Sequence, residues 1–401
     1  MQFSSLVRRV AGKGAEAWRV HFEAVEQRAT GRDVILLTVG DPDQAPPEPV
    51  LAATIAALKA HDTGYSPILG LDPLRAAIAE RTTRRTGVPC SGANVAIVQG
   101  TQAGLFASLL CLAGAGDEVI AFEPTYATYE AVAGASGATL VTVPLRPERG
   151  FHPDLDALAR SVTAKTRVLW VNSPHNPTGA VFTADELAAI AALCRQHDLW
   201  LLSDEVYEDL AFARPHISPR SLPGMAERTV VVSSLSKSHA VPGFRAGWVV
   251  APTPLIKHLF NLMLCMTYGG PSFTQQGALV ALEQELPDVA HLREDYRRRG
   301  AMLAGMLAAA PHCRVIPPEG GMFVLLDVRG TRLTSEEFAE ALLHEEDVAV
   351  LPCDGFGPSG VGHLRISLAA PDERLAEAGR RMVRFASRLT NRAAEVVERA
   401  R

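Results

Sequence analysis

The feature that most constrains the fold is an alternation of short apolar runs with helical segments through the middle of the chain. Segments of helical character, such as 129–135, 155–161 and 184–197, separate several of the runs. Strands that are apolar throughout are buried on both faces, which is typical of a mostly parallel sheet covered by helices. The sequence therefore predicts a large α/β domain whose sheet has about seven strands. The apolar runs are 95–98, 119–122, 139–143, 168–171, 199–202, 230–232 and 248–250.

The last part of the chain has a different pattern. Strand-like runs occur at 314–316, 322–327, 348–351 and 363–367, and the last two are each preceded or followed by a long helical segment. Strands and helices arranged in this way indicate an α+β unit. We therefore expect a second, smaller domain after the large one.

Composition excludes several classes of function. The 401 residues are 47% hydrophobic and 21% charged, with a net charge of −5, which argues against nucleic acid or an anionic membrane as the main partner. No apolar run is long enough to cross a bilayer, and the first residues lack the apolar core of a signal peptide. The six cysteines form no CxxC pair. We therefore expect no metal site, reduced thiols and a cytoplasmic location.

A lysine lies between two of the apolar runs. Burial there would lower the pKa of the Lys237 amine, because desolvation disfavours the charged form, and a neutral amine is a nucleophile towards aldehydes. The neighbouring Ser234, Ser236 and Arg245 are groups that hold a phosphate. An aldehyde that carries a phosphate is pyridoxal phosphate, so the segment is typical of a site for that cofactor. A surface turn with a solvated lysine is the alternative interpretation.

Polar residues also follow other predicted strands, and open α/β sheets bind ligands beyond the carboxyl ends of their strands. Asp204 follows the fifth strand, and a buried carboxylate there requires a partner such as a pyridinium N–H. Asn176 lies in the proline-rich loop after the fourth strand, where its amide could donate to a phenolate or a carboxylate. Arg365 suits bidentate binding of a carboxylate. The alternatives are a helix N-cap for Asp204, a structural turn for Asn176 and a salt bridge for Arg365.

Five motifs occur together in this chain, and they carry a resemblance to a known family. With them the chain resembles the class I/II aminotransferases, which are fold-type-I enzymes dependent on pyridoxal 5'-phosphate. The resemblance runs from about residue 34 to the last helix. It implies an aspartate-aminotransferase-like fold, with a large cofactor-binding domain at 46–290 and a small domain built from 1–45 and 291–401. The motifs are GDPD at 40–43, NSPHNPTG at 172–179, SDEVY at 203–207, SLSKSHAVPGFRAGW at 234–248 and LRIS at 364–367.

The resemblance implies a role for each residue that would touch the cofactor. Lys237 would bond the aldehyde and later act as general base and acid, while Asp204 would pair with the pyridine nitrogen. Tyr207 and Asn176 would hydrogen-bond the ring oxygen, and Tyr126 would stack on the ring. The residues around the phosphate would be Thr101, Gln102, Ser234, Ser236 and Arg245.

Substrate binding and assembly are also implied by the resemblance. Arg365 would bind the substrate carboxylate, assisted by Asn176 and the backbone of Gly40. Tyr65, in the YSPILG loop, would reach across an interface to the phosphate bound by the partner subunit. The resemblance therefore implies a homodimer, with an amino acid and a 2-oxo acid as substrates.

Within the family, the chain is most similar to members that move the amino group of L-arginine to pyruvate. The implied products are 5-guanidino-2-oxopentanoate and L-alanine. A guanidinium substrate needs an acidic or amide acceptor, for which Asp43, Gln44 and Asp354 are candidates. The segments that carry this similarity are GKGAEAW, HDLWLLSDEVYEDL, ISPRSLPGMAERT, SLSKSHA, LCMTYG and PEGGMFVLLD.

Two residues depart from the family pattern near the expected substrate entry. Gln44 stands where the family often has an aromatic residue, and Cys353 stands where it usually has glycine. Donors such as aspartate, alanine, aromatic or branched-chain amino acids therefore stay open, as do a lyase or an arginine-oxidising reaction with the same cofactor. Alternatives from other classes are a transcription regulator that binds pyridoxal phosphate and a cofactor-free scaffold.

Overall fold

The computed structural model describes residues 1–11 and 18–399, with side chains described as far as residue 390. Most of the GKGAEAW segment therefore lies outside the described residues. The helices are α1 (Leu6–Arg9), α2 (Arg19–Ala29), α3 (Glu48–Lys59), α4 (Asp72–Thr86), α5 (Gly100–Leu112), α6 (Tyr129–Ser136), α7 (Leu155–Ser161), α8 (Ala184–Gln196), α9 (Thr253–Met266), α10 (Ser272–Glu283), α11 (Pro287–Leu307), α12 (Ser335–Glu346) and α13 (Asp372–Arg399).

The strands fall into one large sheet and two small ones. They are β1 (Ile35–Leu36), β2 (Val95–Gln99), β3 (Glu118–Glu123), β4 (Thr139–Arg146), β5 (His152–Pro153), β6 (Thr166–Asn172), β7 (Trp200–Asp204), β8 (Thr229–Ser234), β9 (Ala246–Val250), β10 (Arg314–Ile316), β11 (Phe323–Asp327), β12 (Val348–Ala349), β13 (Leu351–Pro352) and β14 (His363–Ser367).

The large sheet has eight strands in the order β2-β9-β8-β7-β6-β3-β4-β5. Strands β3, β4, β6, β7 and β8 form parallel pairs, whereas β9 runs antiparallel to both of its neighbours. The predicted α/β class and the seven predicted strands are confirmed. The eighth strand, β5, was not predicted, because a strand of two residues is too short to show a periodic pattern.

Apolar cores on both faces of this sheet explain its near-continuous apolar strands. One core includes residues of α5, α6 and α9, and the other includes residues of α7 and α8. The parallel strands and β2 all end at the same edge, and β9 begins there, so their terminal residues are brought close together. These residues are Gln99, Glu123, Arg146, Asn172, Asp204, Ser234 and Ala246.

The C-terminal part forms an antiparallel sheet in the order β10-β11-β14-β13, packed against α11, α12 and α13. The N-terminal segment joins this part of the protein, since β1 pairs in parallel with β12. Residues of α2 also share its apolar core. None of the described helices combines the length and the apolar character that crossing a membrane requires.

Candidate active site

The predicted site residues meet at the carboxyl edge of the eight-stranded sheet, around a cavity of about 230 Å³. Every residue predicted to hold the cofactor or the substrate carboxylate lies in the cavity wall, with the exception of Tyr65. The cavity therefore joins residues from both ends of the chain with residues of the central sheet. The predicted residues in its wall are Gly40, Thr101, Gln102, Tyr126, Asn176, Asp204, Tyr207, Ser234, Ser236, Lys237, Arg245 and Arg365.

Lys237 projects into the cavity from the turn after β8. Its Nζ donates a hydrogen bond to the carbonyl of Gly40 at 2.6 Å. Burial lowers the pKa of the amine from 10.5 to about 8, because desolvation disfavours its charge. An amine with this pKa is partly neutral near pH 7 and can act as a nucleophile or a base. The interpretation of Lys237 as a solvated surface residue is therefore wrong.

Asp204 ends β7 with its carboxylate inside the protein. Oδ2 accepts a hydrogen bond from Tyr129 Oη at 2.7 Å, and Oδ1 accepts one from the Val206 N–H at 3.3 Å. Burial raises the pKa of the carboxyl from 3.8 to about 6, and no described cationic side chain pairs with it. The next helical turn begins only at Glu208, so the interpretation of Asp204 as a helix N-cap is wrong.

Asn172 and Asn176 connect the ends of β6 and β7. Asn172 Nδ2 donates to the Asp204 carbonyl at 3.0 Å, and its Oδ1 accepts from the Asn176 N–H at 2.8 Å. Arg365 Nη1 donates to Asn176 Oδ1 at 3.0 Å, which leaves Asn176 Nδ2 facing Tyr207 Oη at 3.5 Å. The Asn176 amide is thus oriented with its donor side beside the tyrosine hydroxyl.

Helix α5 begins at the cavity, where its free N–H groups and its dipole suit an anion. Thr101 Oγ1 donates to Ser234 Oγ at 3.0 Å, and Arg245 Nη2 donates to the Gln99 carbonyl at 2.9 Å. Only glycine fits at position 100, which has a φ of +78°, since a Cβ there would lie 2.1 Å from Arg245 Nη2. The hydroxyls, the guanidinium and the helix start together form a cradle for a phosphate.

Arg365 in β14 is buried, and no described carboxylate pairs with it. Nη2 donates to the Thr38 carbonyl at 2.6 Å, whereas the Nε–H has no hydrogen-bond acceptor among the described residues. The guanidinium carbon lies 4.2 Å from the ring centre of Phe323 and 5.3 Å from that of Phe356. The salt-bridge interpretation is therefore wrong, and a buried cation with an unsatisfied N–H is available to an anionic ligand.

The remaining predicted cavity residues have other contacts as well. Gln102 Oε1 accepts from Thr128 Oγ1 at 2.9 Å, and the Ser236 N–H donates to Ser234 Oγ at 3.3 Å. The Tyr126 ring meets the Tyr129 ring edge to face, with centres 5.8 Å apart. These contacts hold the side chains around the cavity in fixed orientations.

None of the three predicted guanidinium acceptors lines the cavity. Asp43 forms an ion pair with Arg299, with Oδ1 2.8 Å from Nη1. Asp354 accepts a hydrogen bond from the Ser335 hydroxyl, and Gln44 lines a separate cavity of about 110 Å³. The prediction of these acceptors is therefore not supported, because partners distant in sequence hold the two aspartates elsewhere.

Tyr65 and Cys353 lie outside the cavity wall. Tyr65 is 88% exposed, and its ring contacts that of Tyr268 at 5.1 Å between centres. Cys353 is fully buried, which raises the pKa of its thiol to about 12. The thiol is thus protonated at neutral pH and unreactive.

Several residues of the site were missed from the sequence, and three of them have side chains that can form hydrogen bonds. Trp18 and Asn172 line the cavity, and Tyr129 supports the Asp204 carboxylate. Asn172 is the first residue of the NSPHNPTG motif, so its position directly after a strand was a usable signal. Trp18 and Tyr129 occupy helix starts, where aromatic residues are usually part of an apolar face.

Comparison with known proteins identifies the family. Residues 32–382 match the family model described as aminotransferase class I and II. The chain belongs to this family. The resemblance predicted from the five motifs is thereby confirmed, together with the enzyme class.

This aminotransferase has similar relatives over nearly its whole length. It is 47% identical to the arginine–pyruvate transaminase AruH of Pseudomonas aeruginosa, over 98% of this chain and 100% of that protein. A solved single mutant of Thermus thermophilus aspartate aminotransferase is 34% identical and superposes with a TM-score of 0.91, over 96% of this chain and 100% of that one. For N-succinyldiaminopimelate aminotransferase of Mycobacterium tuberculosis, the identity is 35% and the TM-score 0.89, with the same coverage.

Replacing Tyr129 by phenylalanine tests the support of Asp204 in this aminotransferase. A carboxyl whose pKa is raised on folding contributes stability at low pH that is lost as the pH rises through about 6. Removing the Tyr129 hydroxyl should raise that pKa further, so the cofactor-free variant should lose about 1 kcal/mol more stability at pH 8 than at pH 4.5. Urea denaturation at both pH values measures the difference. Equal losses would mean that Tyr129 contributes packing alone, and Tyr268→Phe is the exposed control.

Proposed function

We propose that this aminotransferase transfers the amino group of L-arginine to pyruvate, giving 5-guanidino-2-oxopentanoate and L-alanine. The observation that carries amino transfer is the pairing of a low-pKa lysine, Lys237, with the unsatisfied buried guanidinium of Arg365 in one cavity. Support for arginine and pyruvate comes from the 47% identity to the Pseudomonas transaminase over nearly the whole chain.

The cofactor in this proposal is pyridoxal 5'-phosphate, on which the family depends. The cradle formed by Thr101, Ser234 and Arg245 at the start of α5 fits its phosphate, together with Gln102 and Ser236. The buried Asp204 carboxylate, which has no cationic partner in the described part of the chain, fits a protonated pyridine nitrogen. When bound, the cofactor supplies the aldehyde that takes up an amino group and a ring that withdraws electrons from the substrate Cα.

The side chains around that cofactor have distinct proposed roles. Lys237 is the anchor for the aldehyde, and its Nζ removes and returns the proton at the substrate Cα, which its depressed pKa favours. Asp204 stays ionised and holds a proton on the ring nitrogen. Tyr207 and Asn176 donate hydrogen bonds to the ring oxygen, while Tyr126 packs on the ring face.

Arg365 is proposed to bind the α-carboxylate of both substrates, with Asn176 and the Gly40 backbone beside it. Arg365→Lys keeps the charge but removes the planar pair of donors. We expect kcat/KM for amino-acid donors to fall about 10²–10³-fold, since weakening a buried charge pair costs about 2–5 kcal/mol. Agmatine, which lacks the carboxylate, should be little affected. Equal losses for arginine and agmatine would refute the assignment, and the exposed Arg314→Lys is the control.

We also propose that the active form is a homodimer in which Tyr65 completes the partner's site. The Tyr65 ring is 88% exposed and contacts the exposed ring of Tyr268. Tyr65→Phe should weaken cofactor binding about tenfold and leave the dimer intact, because only a phosphate contact is lost. Light scattering and cofactor titration measure the two effects. A wild-type enzyme that is active as a monomer would refute this proposal.

The division into domains is part of the same proposal. The large domain would comprise residues 46–290, and the small domain would comprise 1–45 and 291–401. The pairing of β1 with β12 supports this division, as does the apolar core that α2 shares with α11, α12 and α13. The cavity then lies between the two domains, since Gly40 and Arg365 belong to one and Lys237 to the other.

A panel of amino donors with pyruvate tests the reaction and its specificity. We expect the highest kcat/KM with L-arginine and one L-alanine formed for each 5-guanidino-2-oxopentanoate. Release of ammonia or uptake of oxygen from arginine without pyruvate would identify a lyase or an oxidase and would overturn the proposal. A preference for aspartate, aromatic or branched-chain donors would overturn the choice of arginine while leaving amino transfer intact.

A further inference from the structure

The cavity lacks an obvious partner for the charged end of an arginine side chain. Among the described residues, Asp204 is the one carboxylate in its wall, and its Oδ2 is hydrogen-bonded to Tyr129. Asp43 is paired with Arg299 outside the wall. The amide oxygens in the wall already accept hydrogen bonds, Gln102 from Thr128, Asn172 from the Asn176 N–H and Asn176 from Arg365. A group of a different kind in the described part of the wall is therefore the better partner for a guanidinium.

Trp18 is an aromatic side chain in the same wall, at the start of α2. It is half-buried, whereas Arg365 is 2% exposed, so Trp18 is the more accessible of the two to solvent. A substrate whose carboxylate is bound by Arg365 would extend its side chain from the interior towards the mouth. Trp18 is thus placed to meet the far end of the substrate.

The orientation of Trp18 is linked to that of Arg365 through two residues. The Trp18 ring meets the His21 ring edge to face, with centres 5.4 Å apart and planes at 81°. His21 Nδ1 shares a hydrogen bond of 2.7 Å with Thr38 Oγ1, and the Thr38 carbonyl accepts from Arg365 Nη2 at 2.6 Å. The indole and the guanidinium, which both line the cavity, are therefore held by one continuous set of contacts.

We propose that Trp18 stacks on the guanidinium of the amino donor and so selects arginine over uncharged donors of the same length. A guanidinium is planar and weakly hydrated, and it binds the face of an indole more strongly than that of other aromatic rings. This inference rests on the proposed transfer from L-arginine. It assigns the specificity for the substrate side chain to the Trp18 indole. Arg365 and Lys237 act on the α-carboxylate and on Cα, which all α-amino acid donors share.

The test compares L-arginine with L-citrulline, which has the same length and a planar end but no charge. With pyruvate as acceptor, Trp18→Leu should lower kcat/KM for arginine about tenfold and that for citrulline less than about threefold. Trp18→Phe should give an intermediate loss for arginine, because a smaller ring is retained. Val25→Ala, on the same helix, exposed and outside the cavity wall, is the control and should change neither value.

The outcomes separate this inference from the proposed function. A wild-type enzyme that does not use arginine overturns both. A wild-type enzyme that prefers arginine, combined with Trp18 variants that keep the arginine-to-citrulline ratio, overturns the role of Trp18 alone. If Trp18→Leu fails to fold, as judged by circular dichroism, the ratio in Trp18→Phe decides, since that change retains most of the packing.

Discussion

Alanine in place of Lys237 is expected to reduce transamination by at least about 10⁴-fold, the largest effect of any single change in this chain. Among the described residues of the cavity wall, Lys237 is the one with a side-chain amine. It combines the roles of anchor for the aldehyde and of base at the substrate Cα. Burial keeps part of the amine neutral near pH 7. No other described cavity residue can supply a neutral amine in its place. Steady-state assays with arginine and pyruvate measure the loss, and Lys165→Ala, at an exposed position, is the control.

The same variant should still fold and bind the cofactor without a covalent bond. The Lys237 amine makes a hydrogen bond to the Gly40 carbonyl, and the phosphate cradle does not include it. Added small amines such as methylamine should restore part of the rate, because they can reach the space left by the side chain. Retention of more than about 1% of the wild-type rate without added amine would show that another group moves the proton.

Asparagine at position 204 is expected to give the second largest effect. The change keeps the shape and an acceptor for Tyr129 Oη but removes the charge that would hold a proton on the pyridine nitrogen. Removing one partner of a buried ion pair costs about 3–5 kcal/mol, so kcat/KM should fall about 10²–10³-fold. Cofactor affinity should fall as well, and both are measured against Asp198→Asn, which changes an exposed side chain.

Stability of the cofactor-free protein gives an independent test of the same carboxyl. Because folding raises the pKa of Asp204 from 3.8 to about 6, the stability it contributes below pH 4 is lost as the pH rises through 6. Asp204→Asn should remove this loss, so the wild type should fall by about 2–3 kcal/mol relative to the variant between pH 4 and pH 7. Parallel stability curves for the two proteins would mean that Asp204 titrates normally.

The large sheet could be predicted because its strands are apolar on both faces. A run such as 230–232 contains no polar residue, so its pattern differs from that of a strand with one face in solvent. Helical segments separate several such runs. The two-residue strand β5 has no local pattern, whereas the predicted run at 348–351 is divided in the structure between β12 and β13. The pairing of β1 with β12 depends on segments at opposite ends of the chain, which no local signal reveals.

The candidate site could be predicted as far as its residues follow strands or belong to motifs. Lys237, Asp204 and Asn176 all do so, and the structure brings them to one cavity. The acceptors of a substrate guanidinium could not be predicted in the same way. Asp43 is the last residue of the GDPD motif, but Arg299 on α11 fixes the direction of its side chain. That contact depends on how two segments distant in sequence pack together.

The hydrogen bond between Arg365 and Thr38 joins residues 327 positions apart. On a ribosome that adds roughly 5–20 residues per second, Lys237, Asp204 and the phosphate cradle all emerge well before Arg365 is made. A nascent chain thus contains every group proposed to hold the cofactor before it contains the group proposed to orient an amino acid. A polypeptide released early, without β14, would therefore lack control over which substrate reaches the reactive lysine.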